Sequence, residues 1–314
     1  MRVAGIDCGT NSIRLLIADL TPDGLVDVDR RMLVVRLGQG VDATGRLAPE
    51  ALERTFAAAR TYAEAIREAG VDRVRFVATS ATRDAENAAE FRIGIAEILG
   101  IEPEVITGEQ EAALSFAGAT DGLANDPQGG GLARPYLVVD VGGGSTEFVL
   151  GDLVHGRGTV QASRSVDVGC VRMRERRLHG DPPNAVEIAA ATADIDAAID
   201  LAAEVVPLKE AQTLIGVAGT VTTIAAIALG LETYDPVAIH GSRIPAVTVH
   251  EIAARLLAAT REERAAISVM HPGRVDVIGA GALVVDRIVT RLGDLDLVVS
   301  EHDILDGIAA SIAR

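Results

Sequence analysis

GIDCGTNSIRLLIADL, residues Gly5–Leu20, and VVDVGGGSTEFVLGDL, residues Val138–Leu153, decide how this chain is read. The two stretches align without gaps at an offset of 133 residues (140 − 7). Asp7 meets Asp140, Gly9 meets Gly142, Ser12 meets Ser145, Asp19 meets Asp152 and Leu20 meets Leu153. Each copy reads as a strand, a glycine-containing turn and a second strand. The pair therefore predicts two versions of one α/β fold in one chain.

A tight turn of this kind aims several backbone N–H groups at one point. Glycine lets an anion approach with no Cβ in the way. Gly142, Gly143 and Gly144 followed by Ser145 supply amides and a hydroxyl, and Gly9, Thr10, Asn11 and Ser12 do the same in the other copy. Two such turns across a central cleft would grip neighbouring phosphates. Asp7 and Asp140 stand at the strand ends just before the turns, where a carboxylate can hold a hard cation such as Mg²⁺.

The rest of the chain agrees with an α/β reading. At 314 residues, two domains are expected. Apolar residues make up 48% and aromatics only 3%, which suits buried strands of Val, Ile and Leu under Ala-rich helices. Strands are predicted over Val3–Asp7, Ser12–Leu20, Leu25–Leu37 and Arg73–Thr79. Helices are predicted over Pro49–Ala69, Asp84–Leu99, Glu109–Ala119, Ala185–Val206, His250–Ala259, Ala280–Leu292 and Ile304–Ala313. The Gly-, Pro- and Asp-rich run Thr120–Arg134 reads as the connection between domains. One lobe is expected over residues 1–124 with 301–314, the other over 125–300.

Several function classes are disfavoured. A net charge of −16 argues against a nucleic-acid binder. With Lys209 the only lysine, the positive charge is almost all Arg, whose planar fork matches phosphate oxygens two at a time. Cys8 and Cys170 make no disulfide framework, which points to a cytoplasmic setting. The run before Asp7 is too short for a signal-peptide core. Ala211–Leu231 carries no charge, but its Gly and Thr residues make it a buried strand leading into a buried helix rather than a membrane span. No Gly-Lys-Ser/Thr loop, GxGxxG, HExxH or GxSxG motif occurs.

Phosphoanhydride hydrolysis needs an oriented water, a base and positive charge on the phosphoryl oxygens. Glu111, in ITGEQEA (Ile106–Ala112), sits near a helix start, with Glu109 as its local competitor. Glu147 is an acid inside the apolar run TEFVL beside Asp140. Arg83, in ATSATRDAEN, lies where a strand gives way to a helix. Of the basic residues Arg164, Arg172, Arg174, Arg176 and Arg177, Arg172 is the one placed beside the site.

These residues resemble the exopolyphosphatase and guanosine pentaphosphate phosphohydrolase family in its short, two-domain form. GIDCGTNSIRLLIAD and VVDVGGGSTEFVLG resemble its two phosphate motifs, TSATRDAEN its arginine motif and ITGEQEA the motif of its catalytic glutamate. VDVGCVRMRE, GVAGTVTTIAA, HPGRVDVIGAGALVVDRIV and SEHDILDGI resemble its later motifs. The resemblance implies a duplicated actin-like ATPase (ribonuclease H-like) fold, with the C-terminal helix returning to the first lobe. It implies Glu111 as base, in preference to Glu109, and Glu147 as an aid to water and metal. Asp140, with Asp7, would hold Mg²⁺, and Arg83 would clamp phosphate. Gly219 and Thr220 would join the two turns in binding phosphate. The expected substrate is inorganic polyphosphate, in short chains because the sequence stops at Arg314 without further helical domains. Hydrolysis of pppGpp, a non-catalytic nucleotide- or polyphosphate-binding regulator, and a sugar kinase or chaperone-type ATPase are the alternatives. A homodimer without membrane or nucleic-acid partners is expected.

Overall fold

The computed structural model describes residues 1–22, 24–124, 131–154, 157–293 and 295–312. Most of the connection expected over Thr120–Arg134 falls at residues 125–130, outside the described residues. In chain order the elements begin with β1 (Arg2–Cys8), β2 (Ser12–Thr21), β3 (Gly24–Val34), α1 (Val41–Thr44) and α2 (Pro49–Ala69). They continue with β4 (Arg73–Ala78), α3 (Ser80–Arg83), α4 (Ala88–Leu99), β5 (Glu104–Val105) and α5 (Gly108–Ala124). Next come β6 (Tyr136–Val141), β7 (Thr146–Val154), β8 (Arg157–Val166), α6 (Cys170–Arg176), α7 (Ala185–Ala203), β9 (Thr213–Val217) and α8 (Ala218–Ala228). The last are α9 (Pro236–Ile239), β10 (Arg243–Ile244), α10 (Ala246–Ala258), α11 (Arg261–Ala265), α12 (Ile278–Arg291), β11 (Leu297–Val299) and α13 (Ile304–Ser311).

Two compact units result: Met1–Gly118 with Ile304–Arg314, and Ala119–Asp303. The first holds a five-stranded sheet in the order β3-β2-β1-β4-β5, and the second a six-stranded sheet in the order β10-β11-β9-β6-β7-β8. Read from the hairpin edge, both run antiparallel, antiparallel, parallel, parallel. The second adds the short antiparallel β10. Even an irregularity is repeated. The β2–β3 register shifts between Ile17 and Ala18, and the β7–β8 register shifts between Leu150 and Gly151, the same places in the repeat. The duplicated strand order is that of the actin-like ATPase fold.

Periodicity explains the cores. The inward faces of β1, β2 and β4 bury Ile6, Ile13, Leu15 and Phe76 against Leu52, Ala59 and Tyr62 of α2 and Phe91 and Ile95 of α4. Pro49 opens α2 and Gly70 closes it in the left-handed conformation. On the other face of this sheet Leu305 and Ala309 of α13 pack on Val3, Leu16 and Ala18. In the second unit Leu137, Val139, Phe148 and Leu214 meet Ile195 and Ile199 of α7 and the apolar faces of α8, α10 and α12. Ala211–Leu231 is a buried strand followed by a helix, and no helix among the described residues is long and apolar enough to cross a membrane.

Two elements differ from the sequence reading. The helix expected over Asp84–Leu99 begins only at Ala88, as α4, and residues 84–87 form a break between it and the short α3. The break forms because this backbone is tied to a neighbouring loop: the Glu86 amide donates to the Gly45 carbonyl, and Asn87 accepts from the Leu47 amide and donates to its carbonyl. The strand expected to reach Leu37 ends at Val34, because the Val35 and Arg36 amides turn to the Asn11 carbonyl and Arg36 takes φ +50°.

Candidate active site

In the first unit β1 delivers Asp7 to the bend Gly9–Asn11, and β2 leaves from Ser12. The Gly9 amide donates to the Ser12 carbonyl at 3.0 Å. The Asn11 carbonyl accepts from the Val35 and Arg36 amides at 3.0 and 2.8 Å, and the Thr10 carbonyl accepts from the Gly38 amide at 2.9 Å. A trans peptide points its N–H opposite to its C=O, so the Asn11 and Ser12 amides face away from the Val35–Gly38 loop. The Thr10 hydroxyl is buried against that of Ser80, 2.9 Å away, which joins the bend to the start of α3.

The second unit repeats this construction. The Gly142 amide donates to the Ser145 carbonyl at 3.1 Å. The Gly142 carbonyl accepts from the Cys170 amide, and the Gly143 carbonyl from the Val171 and Arg172 amides. Arg172 Nε donates to the Gly144 carbonyl at 2.6 Å. The same trans-peptide argument turns the Gly143, Gly144 and Ser145 amides away from α6, toward a common side. Arg172 thus acts on the turn by fixing its backbone.

Each bend is backed by a glycine that the motif reading passed over. A Cβ at Gly169 would lie 2.5 Å from the Gly143 carbonyl oxygen and 2.6 Å from its carbon, so no larger residue fits without displacing the turn. A Cβ at Gly38 would lie 2.3 Å from Thr10 Cγ2. Neither contact is visible in local sequence, because each spans tens of residues.

The structure brings Arg83 and Glu111 together. Arg83 closes α3, and its Nη1 donates to Glu111 Oε2 at 3.0 Å and to the Ile106 carbonyl at 3.0 Å. Among the described residues both of its hydrogen bonds use that one nitrogen, which leaves the Nε–Nη2 edge of the fork to meet an anion. Glu111 is held in the first turn of α5, whose start carries reciprocal bonds: the Gln110 amide donates to Thr107 Oγ1, and the Thr107 amide to Gln110 Oε1. Glu111 is 7% exposed, whereas Glu109 faces solvent. Burial separates two acids that spacing alone left equal.

Asp140 on β6 and Glu147 on β7 are directly opposed across the antiparallel ladder. Their side chains therefore share one face of the sheet, with Cβ atoms about 5 Å apart. They are 6% and 1% exposed, and the Ser165 hydroxyl donates to Glu147 Oε1 at 2.7 Å. Two buried carboxylates in register repel unless a positive charge joins them. No group of three or more His, Cys, Asp or Glu side chains able to hold a metal occurs among the described residues. Mg²⁺, however, takes one or two carboxylates and fills its remaining positions with water and phosphate oxygens. The pair fits such a cation.

Asp7, at the equivalent position of the first unit, has a different neighbour. Arg14 Nη2 and Nε both donate to its Oδ2, at 2.6 and 3.0 Å. Gly219 and Thr220 lie in the first turn of α8, reached through Ala218 at φ +69°. The strand before them, β9, runs parallel to β6 with Val217 beside Asp140. The α8 start and the Gly142–Gly144 turn therefore follow adjacent strand ends. Arg274, not singled out from sequence, lays its guanidinium over Gly219 and donates to the Thr223 hydroxyl at 3.2 Å.

This geometry has relatives. Residues 16–313 match the Ppx/GppA phosphatase family. Exopolyphosphatase 2 of Mycobacterium tuberculosis is 50% identical over 325 aligned positions, covering 99% of this chain and 98% of that one. A crystal structure described as an exopolyphosphatase-like protein superimposes with a TM-score of 0.94 at 47% identity, covering 99% of this chain and 97% of the other. The Aquifex aeolicus Ppx/GppA family member gives a TM-score of 0.79 at 30% identity, covering 100% of this chain and 97% of its own. With a family match across nearly its whole length and a half-identical relative of matching extent, this chain belongs to the Ppx/GppA phosphatase family.

Proposed function

We propose that the chain is an exopolyphosphatase: it hydrolyses the terminal phosphoanhydride bond of inorganic polyphosphate and releases orthophosphate. The observation that carries this reading is the repeated bend, closed by the same hydrogen bond in both units, with its carbonyls spent and its amides turned the other way. Such a bend suits a phosphoryl group and has little else to recognise. The half-identical exopolyphosphatase relative supports the same substrate class.

In this reading Gly9–Ser12 and Gly142–Ser145 bind phosphoryl oxygens through backbone amides and hydroxyls, and Gly219 and Thr220 add the start of α8. Arg83 offers its free fork edge to the terminal phosphoryl group. Glu111 accepts the proton of the attacking water, and Arg83 keeps Glu111 in place at 3.0 Å. Asp140 and Glu147 would hold a divalent cation, Mg²⁺, and the Ser165 hydroxyl fixes the Glu147 rotamer. When bound, the cation neutralises charge that builds on the phosphoryl oxygens.

The test is a phosphate-release panel with short polyphosphate, pppGpp and ATP, each with Mg²⁺ and with excess chelator. Polyphosphate should give the highest kcat/KM, and chelation should abolish release. A higher kcat/KM for pppGpp would reassign the chain to the pentaphosphate branch. Tight polyphosphate binding without turnover would make it a regulator.

A further inference from the structure

The short helix α13 carries a glycine near its middle, although glycine is a poor helix former. Gly307 is helical, so its conformation does not call for glycine; its neighbour does. A Cβ there would lie 2.8 Å from the Leu114 carbonyl carbon and 3.2 Å from its Cα, and closer still to the carbonyl oxygen. The backbones of α13 and α5 therefore meet directly at this point. A main-chain carbonyl cannot swing aside as the end of a side chain could. Leu114 stands one turn after Glu111 on the same helix.

The rest of α13 is fixed to the sheet of the same unit. Gly5 of β1 admits it, since a Cβ there would meet the Ala309 amide nitrogen at 3.1 Å and the Leu305 carbonyl oxygen at 3.3 Å. Arg30 of β3 pairs with the buried Asp306 at 2.5 Å, and Arg75 of β4 donates to Ser311 Oγ at 2.6 Å. Ile304 and Ile308 form a buried cluster with Val77 and Ile106, on which the Leu114 side chain packs. The sheet thus sets the place of α13, and α13 sets the place of α5.

We infer that Gly307 is a positioning residue: by letting α13 and α5 meet at backbone contact, it places Glu111 for its part in the reaction. This rests on the reading of Glu111 as the base. A close-packed interior passes a displacement on instead of absorbing it, so a methyl group at position 307 moves α5 and the carboxylate it carries. A misplacement of about 1 Å can cost about a hundredfold in rate.

A double-mutant cycle on the full chain tests this, read as kcat and KM for phosphate release from short polyphosphate with Mg²⁺. Gly307→Ala should lower kcat by about tenfold or more while KM stays within about threefold. In a Glu111→Gln background the same substitution should leave kcat within about twofold, because the displaced group no longer acts. Its effect on melting temperature should be the same in both backgrounds. Phe91→Leu, in the core between the sheet and α4, is the stability control: its melting temperature should fall and its kcat should hold. Equal kcat losses from Gly307→Ala in both backgrounds, or a folded Gly307→Ala with wild-type kcat, would overturn the inference. Should Gly307→Ala fail to fold, Leu114→Ala, which loosens the same contact from the α5 side, decides by the same cycle. A kcat loss confined to the Glu111 background supports the role; no loss, or equal losses in both, sinks it. Wild-type turnover by Glu111→Gln, or no turnover by the wild type, would bring down the underlying reading, and this role with it.

Discussion

Replacing Glu111 with Gln removes the proposed base while changing the side chain's shape very little. A positioned general base is worth about 10²–10⁴ in rate. At about 1.4 kcal/mol per tenfold, that corresponds to roughly 2.7–5.5 kcal/mol of transition-state stabilisation. The fold should be affected far less. The Gln amide oxygen can still accept from Arg83 Nη1, so a charge-assisted bond becomes an ordinary one between groups 26% and 10% exposed. That change is worth about 1 kcal/mol, and a melting temperature lower by a few degrees. Substrate affinity should hold or improve, because a negative charge leaves the neighbourhood of a polyanion. The assay is steady-state phosphate release from short polyphosphate, paired with thermal melting and a binding titration, with Glu109→Gln as the exposed control. Glu111→Gln should lose at least about a hundredfold in kcat with binding intact, and Glu109→Gln should match wild type. A Glu111→Gln enzyme within tenfold of wild type would refute the assignment. Equal losses in both variants would show that the electrostatics of the α5 start, not a base, is being measured.

Other outcomes follow from the same geometry. Arg83→Lys keeps the charge but loses the fork, so kcat/KM for polyphosphate should drop by about tenfold or more, while melting changes by about 1 kcal/mol or less; unchanged kinetics would remove the clamp. Gly169→Ala places a methyl group within 2.5 Å of the Gly143 carbonyl oxygen. It should cost about 1–3 kcal/mol in stability and weaken polyphosphate binding; a variant with native affinity would show that the second bend does not need its backing. Burial raises the Cys8 thiol well above its ordinary value and the Cys170 thiol to about 11. The folded state therefore holds these protons more tightly than the unfolded state. Their contribution is complete below the ordinary thiol range and is lost as pH climbs through it toward 11. Denaturant midpoints should fall over that window, and both thiols should resist an aqueous thiol reagent until the chain unfolds; rapid modification of native protein would contradict their burial.

The fold was legible because its signal is local and repeated. Alternating apolar residues marked the strands, Pro49 and Gly70 bracketed α2, and the Asp-x-Gly bends betrayed the duplication. What was not legible depends on contacts distant in sequence. Nothing near Asp84–Asn87 announces that this segment will bond to the Gly45–Leu47 loop and delay the helix start to Ala88. Gly38 and Gly169 look like ordinary loop glycines until the bends they support are seen. Arg14 and Glu147 fall at matching positions of the repeat, yet their contrast acquires meaning only from the ladder register that sets each opposite an aspartate. Glu111 and Glu109 were equal candidates by spacing, and burial separated them.

Phosphorus-31 NMR of a short polyphosphate incubated with the protein and Mg²⁺ tests the central claim most directly. Orthophosphate should be the first signal to grow, in step with the loss of interior phosphorus resonances and with no burst of medium-length fragments. Fragments appearing before orthophosphate, or spectra that do not change at all, would contradict terminal hydrolysis by this chain.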